Sequence, residues 1–75
     1  MSLQYKLLLH KEDDGRYSVT VPSLPGCFTF GDNIDHAIEM AKEAIELYIE
    51  HLQENGEEIP NDSEAFEYTL NLETA

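Results

Sequence analysis

Between Asn33 and Asn55-Gly56 the chain carries one apolar stripe at helical spacing, and that stripe limits most strongly what this sequence folds into. At about 100° per residue, Ile34, Ala37, Ile38, Ala41, Ala44, Ile45, Tyr48, Ile49 and Leu52 fall within an arc of roughly 140°, the width of a face laid on a core. A helix with one such face requires a second layer to bury it. Its start is marked by Asp32 and Asn33, either of which accepts from orphan backbone N–H groups, with Asn33 the favoured cap and Asp35 complementing the helix dipole. The pattern ends near Glu54, where Asn55-Gly56 supplies a left-handed cap and Pro60 lies beyond.

The second layer is read from alternation. LQYKLLLH, residues 3–10, predicts a strand, Asp13-Asp14-Gly15 a turn, and RYSVTV a second strand with Tyr17, Val19 and Val21 on one face. Pro22 ends it because proline cannot donate to a ladder, and Pro25-Gly26 has the composition of a type II turn. CFTFG then reads as a third strand, with Cys27 and Thr29 to one side and Phe28 and Phe30 to the other; Gly31 precedes the helix. After the loop EEIPNDSE, Phe66, Tyr68, Leu70 and Leu72 alternate with Glu67, Thr69 and Asn71, predicting a fourth strand. The expected fold is α+β, in the order β-β-β-α-β, with one helix packed on one face of the sheet. A right-handed crossover makes this a four-stranded mixed sheet of order 3-2-1-4, the last strand parallel to the first. The opposite face then needs polar residues or a partner, and Leu8 and one pair from the third strand are candidates for it.

At 75 residues this is one small domain, expected to bury only about 60% of its unfolded surface, so self-association is anticipated as a source of stability. One cysteine allows neither an internal disulfide nor a cysteine-based zinc site, which favours a reducing cytoplasm. No run approaches the roughly 20 apolar residues of a membrane span. A formal net charge of −12 repels phosphate backbones and attracts cations, so direct nucleic-acid binding is not expected.

The run from Pro22 through Leu24-Pro25-Gly26-Cys27, Gly31-Asp32 and the helix with Ala37, Ala41, Glu43, Ala44, Ile45 and Tyr48 resembles the signature of the HicB-like antitoxin (UPF0150-type) family. The resemblance covers nearly the whole chain. It implies a truncated ribonuclease H-like fold; many members continue into a separate DNA-binding module, and in departure from them residues 1–75 are expected to form a single domain without one. The functional implication is inhibition of a cognate small basic toxin of the HicA type, an mRNA-cleaving nuclease with an active-site histidine. The alternative reading is an orphan HicB-like module that regulates or binds a small ligand without a toxin.

The polar side of the helix carries Asp35, Glu39, Glu43, Glu46, Glu50 and Glu54, with Lys42 its one basic neighbour. Like charges one turn apart cost roughly 0.2–0.5 kcal/mol per pair in an isolated helix. This face reads either as a solvated surface or as one that pairs with a cationic nuclease and steers its approach, with Glu39, Glu43, Glu46 and Glu50 the candidate partner-binding residues. Phe28 and Phe30, with Met40 and Leu47 beside the main helical arc, are candidates for an oligomer patch; ordinary core is the competing reading. Pro25, Gly26, Gly31, Asp32, Asn33 and Gly56 are assigned to turns and caps.

Catalytic readings fare poorly. A ribonuclease H-like metal site begins with an acid in the middle of strand one, and LQYKLLLH has none there. His10, His36 and His51 include no i, i+4 pair for zinc; they read as surface residues, with His36 in reach of Asp32 one turn away. Cys27 reads as a small buried hydrophobe. Ser18, Ser23 and Ser63 lack a nucleophile-elbow setting. The chain is therefore expected to be a non-enzymatic protein without cofactor or metal, acting as a homodimer or higher homo-oligomer on its toxin.

Overall fold

The structure, a computed structural model, describes residues 3–74. Three antiparallel strands, β1 (Leu8–Lys11), β2 (Tyr17–Thr20) and β3 (Phe28–Gly31), form a sheet of order β1-β2-β3 and are followed by one helix, α1 (Ile34–Glu54). The register sorts the side chains into two faces. Leu9, Val19 and Thr29 lie in one cross-strand row and Lys11, Tyr17 and Gly31 in the next, on the helix side; Leu8, Thr20, Phe28 and His10, Ser18, Phe30 form the rows on the open side.

Local chemistry fixes the connections. The first hairpin closes through Gly15 N–H to Glu12 O (3.0 Å) and Glu12 N–H to Arg16 O (2.8 Å), while the Asp14 carboxylate accepts from the Arg16 backbone (3.0 Å) and Nε (2.9 Å). These bonds hold the Asp14 pKa below its usual value, the Arg16 backbone N–H contributing most. In the second connection Cys27 N–H donates to Leu24 O at 2.9 Å, with Gly26 at φ +82°, the positive angle a type II turn needs at that position. Val21 N–H to Cys27 O (3.1 Å) completes the reversal.

Asn33 is the N-cap of α1, its side chain accepting from the His36 N–H at 2.8 Å. At the other end Glu57 N–H reaches Leu52 O (2.9 Å) and Gly56 N–H reaches Gln53 O (3.1 Å), with Gly56 at φ +66°, the paired bonds of a Schellman cap. The helix packs chiefly on β3 and secondarily on β2. Ala37 and Ala41 are fully buried against Val19, and Ala44, Ile45, Tyr48 and Leu52 cover Val21, Leu24 and Cys27. Small residues in the first half of the helix let its backbone lie close to the sheet. Gly31 makes the same allowance on the strand side: a Cβ there would stand 2.5 Å from Ala37 Cα and 2.7 Å from His36 C.

Two expectations are corrected. The first strand is shorter than residues 3–10; only Leu8–Lys11 ladders with β2, while Tyr5 and Leu7 are half-buried against the core. More consequentially, no fourth strand is present among the described residues, so the sheet is three-stranded and not of order 3-2-1-4. The chain does return to the outer edge of the N-terminal segment, where Asp62 N–H donates to Gln4 O (2.8 Å), Lys6 N–H to Asp62 Oδ2 (2.9 Å) and Gln4 N–H to Asn61 Oδ1 (3.2 Å). It then turns, Ala65 N–H donating to Asp62 O (2.9 Å), and residues 66–72 run exposed without a ladder. Alternation marks a segment able to be a strand, but a strand forms only where an edge receives it.

The helical stripe is also wider than the sheet beneath it. Ile34 and Ile38 remain 49% and 45% exposed although both belong to the apolar arc. Three narrow strands do not reach under them.

Candidate partner-binding surfaces

The acidic side of α1 is presented to solvent as the wheel requires, because the alanine-rich side is spent on the sheet. Glu39, Glu43, Glu46 and Glu50 are all exposed, and Glu39, Glu43 and Glu46 gather around Lys42. None of these carboxylates has an ion-pair partner within 4 Å among the described residues, so their field is projected outward rather than neutralised within the chain.

The open side of the sheet answers the question left by the third strand. Cys27 is buried and Thr29 lies on the helix side, which leaves Phe28 and Phe30 outward at 53% and 48% exposure, with Leu8 at 52% in the same cross-strand row as Phe28. The two rings meet edge to face at 5.3 Å, and the Arg16 guanidinium sits 5.4 Å from the centre of Phe30. Beneath them Ser18 is buried, its hydroxyl donating to His10 O at 3.4 Å. The result is an exposed apolar cluster with one cation at its rim.

Met40 and Leu47 do not complete that cluster. Met40 is half-buried, and Leu47 is exposed on the helix. Leu47 instead joins Cys27, Phe28, Tyr48 and His51 around a shallow groove of about 370 Å³ between α1 and the turn before β3. Phe28 thus borders both surfaces, while Phe30 belongs to the open face. The Tyr48 hydroxyl closes one end of the groove by donating to Pro25 O at 2.8 Å, which ties the helix to the Pro25-Gly26 turn.

The remaining sequence candidates are structural. Asp32 donates its backbone N–H to His36 Nδ1 (3.0 Å), and its carboxylate lies 3.8 Å from the same ring, so the pair stiffens the helix start. His10 is exposed beside Glu12, and His51 lies next to Asn55 at the helix end. Burial raises the pKa of the Cys27 thiol, which keeps it protonated and weakly nucleophilic. No cluster of three or more His, Cys, Asp or Glu side chains with metal-binding geometry occurs among the described residues, and no helix is long and apolar enough to cross a membrane.

Asp62 is the residue that sequence reasoning missed. Placed within a loop by its neighbours, it is buried, takes the Lys6 N–H and the Ser23 hydroxyl on its carboxylate, and is held below the usual carboxylate pKa, first by the Lys6 backbone bond and then by Ser23. The Tyr5 hydroxyl donates to Pro60 O at 2.6 Å nearby, its pKa raised by burial and by the Asp62 charge. Together these contacts fasten the post-helical segment to the N-terminal one. The signal available was Pro-Asn-Asp-Ser, a composition that favours side-chain to backbone bonding, but nothing local identifies Gln4 and Lys6 as its partners.

Comparison with known proteins places this arrangement. The family model described as the HicB-like antitoxin of bacterial toxin-antitoxin systems matches residues 5–74. A UPF0150 protein of Thermoplasma acidophilum is 46% identical over 61 residues, covering 81% of this chain and 88% of that protein. Antitoxin HicB 1 of Photorhabdus laumondii is 34% identical over 59 residues, 79% of this chain and 38% of that longer relative. Among solved structures, the N-terminal domain of the Burkholderia pseudomallei antitoxin HicB is similar with a TM-score of 0.68 and 37% identity, covering 91% of this chain and 72% of that one. The chain belongs to the HicB-like antitoxin family.

Proposed function

We propose that this protein binds and neutralises a small basic mRNA-cleaving toxin of the HicA type by covering its RNA site. The family implies a toxin partner and is typically non-enzymatic. The observation that carries the reading is the outward acidic face of α1, where Glu39, Glu43, Glu46 and Glu50 stand exposed and unpaired among the described residues on a chain of net charge −12. A nuclease that grips RNA presents a cationic surface, and an ordered row of carboxylates competes for it as a phosphate backbone does. Inhibition is then stoichiometric occlusion with no bond made or broken. The open-face cluster of Leu8, Phe28 and Phe30 supports self-association, giving a homodimer or higher homo-oligomer that presents more than one acidic helix.

Co-expression with a small basic toxin of the HicA type tests this reading. Rescue of growth and co-elution of the two chains are expected, both weakened by replacing Glu39, Glu43 and Glu46 with Gln. A toxin that arrests growth equally with and without this chain would refute it.

A further inference from the structure

Residues 66–72 carry the pattern of a strand and none of its pairing. Phe66, Tyr68, Leu70 and Leu72 are 90%, 88%, 70% and 77% exposed and alternate along a segment outside any ladder. Four large apolar side chains left this open on a small chain demand a cover. The molecule is drawn out accordingly: its radius of gyration is 14.5 Å, against about 11 Å for a compact domain of this length.

A receptor of matching shape exists on the same chain. β1 is an edge strand. On the helix side of that edge, Leu9 is 38% exposed, and the isoleucine flank of α1 stands uncovered at Ile34 and Ile38. That flank lies on the opposite side of the helix from Leu47 and His51, which meet the turn before β3, so it faces toward the β1 side of the sheet, beyond the strands the helix packs on. One more strand beside β1, with its apolar face toward the helix, fills the gap.

The chain's own tail is not in that place. The turn from Asp62 to Ala65 diverts it just past the anchor on Gln4 and Lys6. We infer that the tail is exchanged: residues 66–72 of each chain add as a fourth strand to the β1 edge of a second copy, reciprocally, in a two-fold dimer. Charge permits a copy of this chain at this edge: Lys6 and Lys11 stand on the N-terminal segment and β1, the tail carries Glu67 and Glu73, and Arg16 is already paired with Asp14. The area suffices. Aromatic side chains bury about 150–250 Å² each, so two tails and the surfaces they cover exceed the roughly 1,200 Å² at which specific interfaces begin. Exchange of an identical element between protomers adds no foreign contact, and each copy gives one tail and receives one. The open face, with Phe28 and Phe30, takes no part in it.

The test uses the full chain in a Cys27→Ala background, with Thr69→Cys combined in turn with Leu8→Cys and His10→Cys. Leu8 and His10 point to the open side, as Thr69 does when the apolar tail residues face the helix. Oxidation is expected to give a covalent dimer on denaturing, non-reducing electrophoresis with at least one of the pairs. A link within one chain, which leaves the monomer mass, would show that the tail folds back on its own β1 and would overturn the exchange, as would no link with either pair. In parallel, Leu70→Glu with Leu72→Glu is expected to weaken dimerisation at least 100-fold in sedimentation equilibrium. A dimer untouched by that change but dissociated by Phe28→Asp with Phe30→Asp overturns the exchange and leaves open-face association standing. A chain that is monomeric alone, with a tail protected from proteolysis only by toxin, also overturns it.

Discussion

Gly31→Ala is the sharpest probe of how the helix is seated on the sheet. The added Cβ would lie 2.5 Å from Ala37 Cα and 2.7 Å from His36 C, and both are backbone atoms of the first turns of α1 rather than flexible side-chain ends. Relief therefore requires the helix start to move about 1 Å, which opens space beside Ala37 and Val19 in the same core cluster. Overpacking of a core costs typically about 1–3 kcal/mol, and a rigid backbone neighbour places this site at about 3 kcal/mol. A 75-residue domain has a total stability of roughly 4–11 kcal/mol, so the loss is a large share of the whole. At about 4–8 °C per kcal/mol, the thermal midpoint falls by about 12–24 °C. Far-UV circular dichroism during heating, with urea titration to check that the m-value is unchanged, measures it at fixed protein concentration. Gly26→Ala is the control, because nothing lies within 4 Å of its added Cβ and only the φ of +82° opposes it. A Gly31→Ala midpoint within about 4 °C of the parent, or one no lower than that of Gly26→Ala, would refute the close-seating argument.

Three further outcomes follow from named contacts. Asn33→Ala removes the acceptor of the His36 N–H and should cost about 1 kcal/mol by urea denaturation, with loss of helical signal concentrated at the start of α1. The Asp62 carboxylate is held below its usual pKa, so its contribution is complete above the unfolded value near 4 and is lost as pH falls toward the lower folded value. Urea midpoints of the parent should therefore drop between about pH 5 and pH 2 more steeply than those of Asp62→Asn, and parallel curves would dismiss the anchor. Replacing Glu39, Glu43 and Glu46 with Gln should slow toxin association about tenfold at low salt and flatten its salt dependence in stopped-flow measurements, leaving the unfolding midpoint nearly unchanged.

What was legible in the sequence followed short-range physics. Asn33, Gly56 and the Pro25-Gly26 turn act through bonds to residues a few positions away, so their composition sufficed to place them. The helix from Ile34 to Glu54 and the antiparallel pairing of three strands were likewise encoded in period and turn. The side of Phe28 and Phe30 was not, because alternation separates two faces without saying which one the helix covers; the register with Val19 decides it. Asp62 was invisible for a related reason, since its partners Gln4, Lys6 and Ser23 stand 39–58 residues away. The fourth strand failed most instructively. Phe66 to Leu72 has the right alternation, but pairing is a property of two segments, and one sequence does not state whether the second belongs to the same chain.

The acidic surface is the part of the candidate site that the sequence located and the fold explains. Ala37 and Ala41 turn one side of α1 inward, so the glutamates opposite them have nowhere to go but solvent. Among the described residues they have no neutralising partner, and like charges one turn apart cost helix stability, a cost that the proposed association with a cationic toxin would offset.

Titration of the cognate toxin's RNA cleavage with purified chain tests the central claim most directly. The account predicts that cleavage falls linearly with added chain, reaches zero at a fixed integer ratio of protomers to toxin, and does not change with the time of pre-incubation. Undiminished cleavage at several-fold excess, or a progressive loss at a small fraction of one equivalent, would contradict it.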